Sequence, residues 1–277
     1  MPERTIIITG ASDGIGAAAA RQLAGQGDHL VLVGRSEAKT AACARALSAP
    51  YLCADFTRLD EVRALAEHLG ALYPRIDVLA NNAGGIMGKR EITVDGFEKT
   101  LQVNHLAPFL LTNLLLGILT KSGAKVINTA SVGARIFGHI ELDDLDNRKK
   151  YSPNKAYGDS KLANILFTKE LHRRYHDQGL DTAAFHPGNV ATNFAADSTT
   201  WFRYIYHTPV KYLALISPDR GAETLVWLVN GTPGSDWVSG EYYEKKKVAK
   251  TNPQAGDAAL AREFWNVSAD MLGLVTA

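Results

Sequence analysis

Short apolar runs alternate with longer stretches of helical periodicity through the first two thirds of the chain. Runs rich in Val, Ile and Leu predict strands at residues 5–9, 29–33, 51–54, 76–80, 125–130 and 181–185. Apolar spacing between them predicts helices at residues 15–26, 37–47, 59–72, 95–119 and 153–178. Strands that are apolar throughout are typical of parallel sheets with both faces covered. The alternation therefore predicts a doubly wound α/β fold around one parallel sheet.

The pattern changes after residue 185. An irregular segment rich in aromatic residues is followed by a predicted helix at 219–230, a short strand near 240–243 and a helix near 257–272. A domain usually has ~100–200 residues, although α/β folds reach ~250 as one unit. No Pro, Gly or Ser-rich linker divides the chain. We therefore expect a single domain over residues 1–277, with a substrate lid at about 188–217 and a C-terminal extension at about 231–277.

Composition and charge exclude several classes of function. The chain has 30 basic and 29 acidic residues, a net charge of +1, which gives no electrostatic reason to expect a nucleic-acid partner. Two cysteines are too few for a disulfide framework or a zinc site. The most apolar stretch, 106–119, contains Pro108 and is shorter than the ~18 residues of a membrane span. With no basic-then-apolar leader before residue 5, we expect no membrane anchor and a cytoplasmic location.

A glycine-rich turn follows the first predicted strand and opens the first predicted helix. Glycine allows positive φ angles and lets the backbone approach a pyrophosphate, and the helix N-terminus offers free N–H groups. The spacing is G-x-x-x-G-x-G rather than G-x-G-x-x-G. A plain strand–helix turn is the alternative, but the position at the first β-to-α junction favours dinucleotide binding. The predicted cofactor-binding residues of this turn are Gly10, Ser12, Asp13, Gly14, Ile15 and Gly16.

The end of the second predicted strand indicates which dinucleotide binds. An acidic residue there would bind the ribose 2′-hydroxyl of NAD, whereas an arginine would accept the 2′-phosphate of NADP. The residue after Gly34 is Arg35, with Lys39 as a helper, so NADP(H) is favoured over NAD(H). Asp13 argues against this preference, because its charge would repel a 2′-phosphate. A solvated surface arginine is the alternative interpretation of Arg35.

Two further segments at strand ends are predicted to contact the cofactor. Asp55, with Phe56 beside it, follows the third strand and either binds the adenine amino group or caps the next turn. Asn82, Ala83 and Gly84 follow the fourth strand, where the glycine allows close packing over the cofactor; the alternative is an ordinary turn.

Tyr157 and Lys161 form the most informative of four Tyr-x-x-x-Lys pairs in the chain. Four residues apart on a helix places both side chains on one face, one turn apart. The pair that begins at Tyr151 contains Pro153, which together with Ser152 marks a helix start, so Tyr151 lies outside the helix. The pairs that begin at Tyr242 and Tyr243 lie in a predicted strand. Only Tyr157 and Lys161 are predicted to share a helical face.

Taken in order, these motifs resemble the short-chain dehydrogenase/reductase family. The matching residues run from Thr9 to Gly16, through Asn81–Gly84, Asn104, Ser131 and Tyr157-Gly-Asp-Ser-Lys161, to Pro187-Gly188-Asn-Val-Ala-Thr192. The resemblance implies that Tyr157 is the general acid and base, and that Lys161 lowers its pKa and binds the nicotinamide ribose. It implies that Ser131 binds the substrate oxygen and that Asn104 supports a water linked to Lys161. It also implies that Pro187, Gly188, Val190 and Thr192 contact the nicotinamide.

Within that family the chain is similar to the retinol dehydrogenase branch. The similarity lies in the sequence around Tyr157, in the Gly34-Arg35 pair and in the tail from Gly240. Ser131 and Tyr157 are 26 positions apart, about twice the usual separation, with a polar insertion near 138–150. The branch shares such an insertion, which is expected to alter the entrance to the site.

Six aromatic or histidine side chains between Phe194 and His207 suggest a lid over an apolar substrate. Packing on the protein body, or an oligomer contact, is the alternative. His186 is interpreted as structural, because no proton transfer is assigned to it.

The sequence thus predicts an NADP(H)-dependent oxidoreductase that transfers a hydride between the nicotinamide and a hydrophobic alcohol, aldehyde or ketone. Reduction of a carbon–carbon double bond and a non-catalytic dinucleotide sensor remain as alternatives. The expected partner is a small apolar carbonyl or alcohol substrate, and a homo-oligomer is left open. No metal is expected.

Overall fold

The computed structural model describes residues 3–188 and 216–275. In these residues eight strands form one sheet in the order β3-β2-β1-β4-β5-β6-β7-β8. All neighbours pair in parallel except β7 and β8, which are antiparallel. The strands are β1 (Thr5–Thr9), β2 (His29–Gly34), β3 (Tyr51–Cys53), β4 (Val78–Asn81), β5 (Lys125–Thr129), β6 (Asp181–His186), β7 (Glu241–Glu244) and β8 (Lys247–Val248). The predicted doubly wound α/β fold is confirmed.

Helices cover both faces of this sheet. They are α1 (Gly14–Leu23), α2 (Glu37–Leu47), α3 (Leu59–Leu72), α4 (Lys99–Leu101), α5 (Ala107–Ser122), α6 (Gly133–Ile136), α7 (Pro153–Tyr175), α8 (Pro218–Asn230) and α9 (Ala258–Met271). A π-helical segment, Gln102–Leu106, joins α4 to α5, and 3-10 turns occupy His176–Gln178 and Pro253–Gly256.

The central strands β1, β2, β4, β5 and β6 are buried on both faces, which explains their unbroken apolar runs, whereas β3 and β8 have exposed residues. In β1, Ile7 packs into the core on one face, while Ile6 and Ile8 pack into the core on the other, and all three are fully buried. The period of two along each strand therefore distributes its side chains between two hydrophobic layers.

The order of the strands reverses between β1 and β4. From β1 the chain winds outward to β3, and then returns to place β4 on the other side of β1. A crevice opens at such a reversal beyond the carboxyl ends of the strands, and open α/β sheets bind ligands there. The glycine-rich turn and the segment after β4 both lie at this point.

The helix predicted from residue 95 begins later, at Lys99, because residues 92–98 form a turn. Ile92 bridges Glu98, the Thr93 N–H donates to the Phe97 carbonyl, and Gly96 has a φ of +87°. The Oε2 atom of Glu98 then caps the helix by accepting from the Leu101 N–H at 2.8 Å. Asp95 and Gly96 form an Asp-Gly pair, which indicates a turn. The helical spacing of the apolar residues nevertheless predicted that the helix begins at residue 95.

Strand β8 was not predicted. Lys245 and Lys246 connect it to β7 with φ angles of +50° and +64°. Two-residue hairpin turns of this kind usually use Asn or Gly, so two lysines give no such signal in the sequence.

Helix α4, the π-helical segment and α5 together form one helical stretch of 24 residues, Lys99–Ser122. By length and composition alone, this stretch could span a membrane. This length differs from the sequence-based expectation, in which the apolar stretch 106–119 is too short for a span. In the structure, 67% of its most apolar window is buried inside the protein. Phe109 on α5 packs against Phe167 of α7 and Trp265 of α9, with ring centroids 5.1 and 4.8 Å away. The segment is thus a core helix of this fold.

Candidate active site

The glycine-rich turn leaves no room for side chains. Gly10 and Gly14 have φ angles of +67° and +55°, which favour glycine. A Cβ atom on Gly16 would lie 2.3 Å from the Gly10 carbonyl oxygen. The Oδ1 atom of Asp13 accepts a hydrogen bond from the Gly14 N–H at 2.7 Å and caps α1. The glycines therefore let the turn pack tightly between β1 and the segment after β4 at the N-terminus of α1, while the predicted cofactor contacts of Gly10 to Gly16 stay a prediction.

Asn82 fastens this turn to the neighbouring strands. Its Nδ2 atom donates to the Thr9 carbonyl at 3.0 Å, and its Oδ1 atom accepts from the Thr129 hydroxyl at 3.3 Å. The Thr9 hydroxyl in turn accepts from the N–H groups of Asn82 and Ala83. The side chain of Asn82 thus holds the ends of β1, β4 and β5 together, and Gly84 carries the segment on toward Lys161.

Charged side chains surround the pocket beside the end of β2. Arg35 is exposed and makes no ion pair with any residue in the described ranges. Lys39 Nζ lies 3.7 Å from Asp13 Oδ2, so Lys39 offsets part of the Asp13 charge that argued against NADP. Gly34 brings the backbone close to Ser12, whose Oγ atom would be 3.2 Å from a Cβ at that position.

Asp55 and Phe56 contribute mainly to local structure. The Oδ1 atom of Asp55 accepts from the Thr57 N–H at 2.9 Å, which is the turn-capping alternative considered for it. The side chain of Phe56 is buried in the hydrophobic core. Contact of Phe56 with a nucleotide would therefore come from its main chain, whereas the adenine contact of Asp55 stays a prediction.

Helix α7 places Tyr157 and Lys161 on one face, one turn apart. The helix starts where Ser152 and Pro153 predicted, and the Ser152 Oγ atom accepts from the Lys155 N–H at 3.1 Å. Lys161 Nζ lies 5.7 Å from the centroid of the Tyr157 ring. Of the four Tyr-x-x-x-Lys pairs, this is the one whose two residues both lie within a helix, as expected.

Ser131 is brought beside Tyr157 by Gly133. A Cβ atom on Gly133 would lie 3.0 Å from Cε1 of Tyr157 and 3.4 Å from Oγ of Ser131, so both side chains flank the same Cα. The Gly133 N–H donates to Ser131 Oγ at 3.0 Å. Because that bond occupies a lone pair, the hydroxyl hydrogen of Ser131 is free to donate to another acceptor. Nothing in the sequence had singled out Gly133.

Lys161 is buried with a single hydrogen-bond partner among the described residues. Its Nζ atom donates to the Thr129 carbonyl at 3.0 Å. Burial disfavours the charged ammonium and lowers the pKa of Lys161 to about 7. Gly84 lies directly beside it, since a Cβ there would be 3.2 Å from Nζ. Lys161 therefore sits next to the segment after β4 and can titrate near neutral pH.

Asn104 clamps the segment after β4 to the helix that follows. Its Oδ1 atom accepts from the Gly85 N–H, and its Nδ2 atom donates to the Gly85 carbonyl and to Ser160 Oγ, each at 2.9 Å. Asn104 lies in the π-helical segment, and Pro108, four residues later, has no N–H to bond its main-chain carbonyl. That carbonyl thus lacks the usual helical donor, and a water is the kind of partner it can take.

The polar insertion is held by Asp159, which lies between Tyr157 and Lys161 in sequence. Its two carboxylate oxygens accept from the His139 N–H at 2.7 Å and from Asn147 Nδ2 at 2.9 Å. Asn252 also donates to the Gly138 carbonyl at 2.7 Å. The insertion is therefore anchored directly to the helix that carries Tyr157.

Strand β6 ends beside the site at His186, Pro187 and Gly188. His186 Nδ1 is buried without a hydrogen-bond partner in the described part of the chain, and burial lowers the pKa of His186. Gly188 has a φ of +92°. The predicted contacts Val190 and Thr192, and the proposed lid from Phe194 to His207, lie outside the described residues.

Comparisons with known proteins agree with this geometry. The sequence profile of the short chain dehydrogenase family matches residues 4–202. A protein of Streptomyces sp. (strain C5) named as a daunorubicin C-13 ketoreductase, DnrU, is 43% identical over 99% of this chain and 94% of its own length. Human retinol dehydrogenase 13 is 36% identical over 99% of this chain and 86% of its own length. The Pseudomonas aeruginosa RhlG/NADP active-site complex superposes with a TM-score of 0.69 at 26% identity, covering 86% of this chain and 93% of RhlG.

Proposed function

The chain belongs to the short-chain dehydrogenase family, on its retinol dehydrogenase-like branch, and from that premise we propose that it is an NADP(H)-dependent oxidoreductase of hydrophobic alcohols, aldehydes or ketones. Oxidoreductase chemistry follows from the family. The finer proposal is carried by one observation: Ser131 and Lys161 both lie beside Tyr157, and Gly84 of the segment after β4 lies against Lys161.

The described residues fit a dinucleotide. Backbone N–H groups of the turn from Gly10 to Gly16, at the N-terminus of α1, would hold the pyrophosphate. Arg35, Lys39 and Ser12 would hold a 2′-phosphate, and Lys161 the nicotinamide ribose. When bound, the nicotinamide supplies or accepts the hydride. RhlG, with an NADP complex, is a relative that supports the choice of cofactor.

Tyr157 would move the proton. In the reduction of a carbonyl its hydroxyl donates the proton to the substrate oxygen, and in the oxidation of an alcohol its phenolate accepts it. An ordinary tyrosine has a pKa of ~10, so the phenolate needs help near neutral pH. The Lys161 ammonium, one helical turn away, favours the phenolate by its charge. Ser131 donates a hydrogen bond to the same substrate oxygen, where negative charge develops.

An apolar substrate is supported by the surface next to Ser131. Ile136 and Phe137, at the end of α6, are 58% and 38% exposed. The names of two relatives point to a ketone and an alcohol as reacting groups, in daunorubicin and retinol. We propose that these exposed side chains meet the apolar part of such a molecule.

The cofactor proposal is tested by titrating the protein with NADPH and NADH and following nucleotide fluorescence. We expect tighter binding of NADPH, and we expect Arg35→Asp to weaken NADPH by about tenfold or more while NADH changes little, because a charge-assisted contact to the 2′-phosphate is lost. An unchanged preference in Arg35→Asp would make Arg35 a surface residue only. A preference of the wild type for NADH would mean that Asp13 outweighs Arg35 and Lys39.

The reaction is tested by product analysis with apolar aldehydes, ketones and enones. Alcohol products with stoichiometric NADPH oxidation support the proposal. Saturation of the carbon–carbon bond with the carbonyl retained would replace it with double-bond reduction. Tight NADPH binding without turnover of any carbonyl or alcohol would favour a dinucleotide sensor.

A further inference from the structure

A buried polar chain runs from the C-terminal helix to Lys161. His105, on the π-helical segment, is fully buried. Its Nε2 atom lies 3.1 Å from Ser268 Oγ on α9, and its Nδ1 atom lies 3.4 Å from Asn164 Oδ1 on α7. Asn164 Nδ2 donates to the Thr129 carbonyl at 3.2 Å, which is the carbonyl that holds Lys161.

The Thr129 carbonyl can only accept a hydrogen bond, and this determines the donor and the acceptor of each bond between Thr129 and Ser268. Asn164 must turn its Nδ2 atom to the Thr129 carbonyl, because two oxygens would repel, so its Oδ1 atom faces His105. His105 Nδ1 therefore carries the hydrogen and donates, and Nε2 accepts from the Ser268 hydroxyl. Both ring nitrogens of His105 and both amide atoms of Asn164 therefore take part in a hydrogen bond.

His105 stays neutral in this position. Burial lowers the pKa of His105 to about 3, so its single hydrogen and its tautomer persist at neutral pH. The rings of Phe264 and Phe109 pack against it, with centroids 4.8 and 5.6 Å from the centroid of its ring. A neutral, fixed imidazole without access to solvent does not shuttle protons, but it can orient its neighbours.

This series of hydrogen bonds ends at the buried ammonium group of Lys161. Thr129 is the only hydrogen-bond partner of Lys161 Nζ within the described residues, and the position of that carbonyl sets the position of the ammonium. Asn164 bonds the same oxygen from the next turn of α7, so a loose Asn164 amide would compete with Lys161 or withdraw from the carbonyl.

We propose that His105 is a positioning residue, which through Asn164 and the Thr129 carbonyl fixes Lys161 and couples the active site to the docking of α9 at Ser268. This rests on the role of Lys161 in the proposed function. His105 would touch neither substrate nor cofactor, since it is fully buried. Its effect should therefore fall on kcat rather than on the KM of either.

The two amide substitutions of His105 separate positioning from packing. Asn places its Nδ2 atom where the histidine has Nδ1, and so keeps the donor to Asn164. Gln places its amide where the histidine has Nε2, and so keeps only the bond to Ser268. Both remove the ring and its packing. We expect His105→Gln to lower kcat by about tenfold and His105→Asn by about threefold or less, with both KM values within about twofold of wild type.

Phe264→Leu is the matched control, since it removes ring packing on His105 without touching a hydrogen bond. It should lower the melting temperature and leave kcat within about twofold. Ser268→Ala should lower kcat, by less than His105→Gln, because the Asn164 bond remains. Melting temperatures of all four variants show whether each is folded at the assay temperature.

Equal kcat values for the two amide variants, both folded, would overturn the positioning role and leave His105 as a core residue. The positioning role would also be overturned if Phe264→Leu lowered kcat as much as His105→Gln and His105→Asn do. A failure of the proposed function is a different result, because Lys161→Met would then turn over like the wild type.

Discussion

A lysine ammonium is costly to bury, and Lys161 is buried with one hydrogen-bond partner among the described residues. Its pKa is lowered from 10.5 to about 7. Between these values the unfolded chain binds the proton and the folded chain does not, so the stability of the fold rises with pH from about 7 to 10.5. Below pH 7 the folded protein carries the full cost of the buried charge.

Lys161→Met should therefore stabilise the protein while it removes the activity. At pH 6.5 we expect a melting temperature higher than wild type by a few degrees, because ~1 kcal/mol corresponds to about 2–4 °C in larger domains. Turnover should fall by about 100-fold or more, since general acid–base catalysis contributes ~100-fold to 10,000-fold.

Lys169→Met on the same helix is the control. Lys169 is partly exposed and pairs with Glu241 at 3.6 Å, so its removal should change neither property by much. If Lys161→Met melted below the wild type at pH 6.5, while Lys169→Met melted at the wild-type temperature, the buried charge of Lys161 would not be destabilising. That result would contradict the account given for Lys161.

Among single residues, the sequence singled out the candidate reacting groups but not the residues that position them. Tyr157 and Lys161 could be chosen because their residue types and helical spacing imply chemistry, and Ser131 could be chosen from the family resemblance. Gly133, Thr129 and Asn164 could not, because their contribution depends on a main-chain atom or on a neighbour from a distant part of the chain. Asp159 was visible inside the motif, but its role in holding the insertion depends on where residues 139 and 147 fold.

Among the elements, the π-helical segment between α4 and α5 is followed by Pro108 in the first turn of α5. A proline cannot donate to the carbonyl four residues before it, here that of Asn104. π-helical turns inside helices occur often at functional sites, where they expose backbone groups. The periodicity of the apolar residues predicted one helix here, and it could not reveal the change of register.

Pro108→Ala should restore a donor for the Asn104 carbonyl. We expect the melting temperature to stay the same or rise, because an interior N–H is regained, while kcat falls several-fold as the carbonyl becomes less available to a water. Pro153→Ala is the matched control, because Pro153 occupies the first turn of α7, where no helical N–H partner is needed. Its kcat should match wild type.

A kcat of Pro108→Ala equal to that of Pro153→Ala would show that the Asn104 carbonyl takes no part in the reaction. A large loss of stability in Pro108→Ala would contradict the expectation that the regained N–H finds the Asn104 carbonyl as its acceptor.

Across the whole molecule, strand order explains why separate segments meet. The reversal between β1 and β4 gathers the ends of β1, β2, β4, β5 and β6 at one edge of the sheet. The apolar runs predicted the central strands and the layers, since β1, β2, β4, β5 and β6 are buried on both faces. They did not predict β8 or the turn before α4, where lysines and an Asp-Gly pair follow no apolar pattern. Nor could the sequence show that α9 packs against α5 and α7 through contacts of Trp265 with Phe109 and Phe167.

The central claim is that Tyr157 moves the proton in an NADPH-dependent carbonyl reduction. The most direct measurement compares kcat for wild type and Tyr157→Phe on one apolar ketone, together with the dissociation constant for NADPH. The account predicts a loss of turnover of about 100-fold or more, with NADPH binding within about threefold of wild type. Turnover by Tyr157→Phe at the wild-type rate, with the alcohol as product, would contradict it.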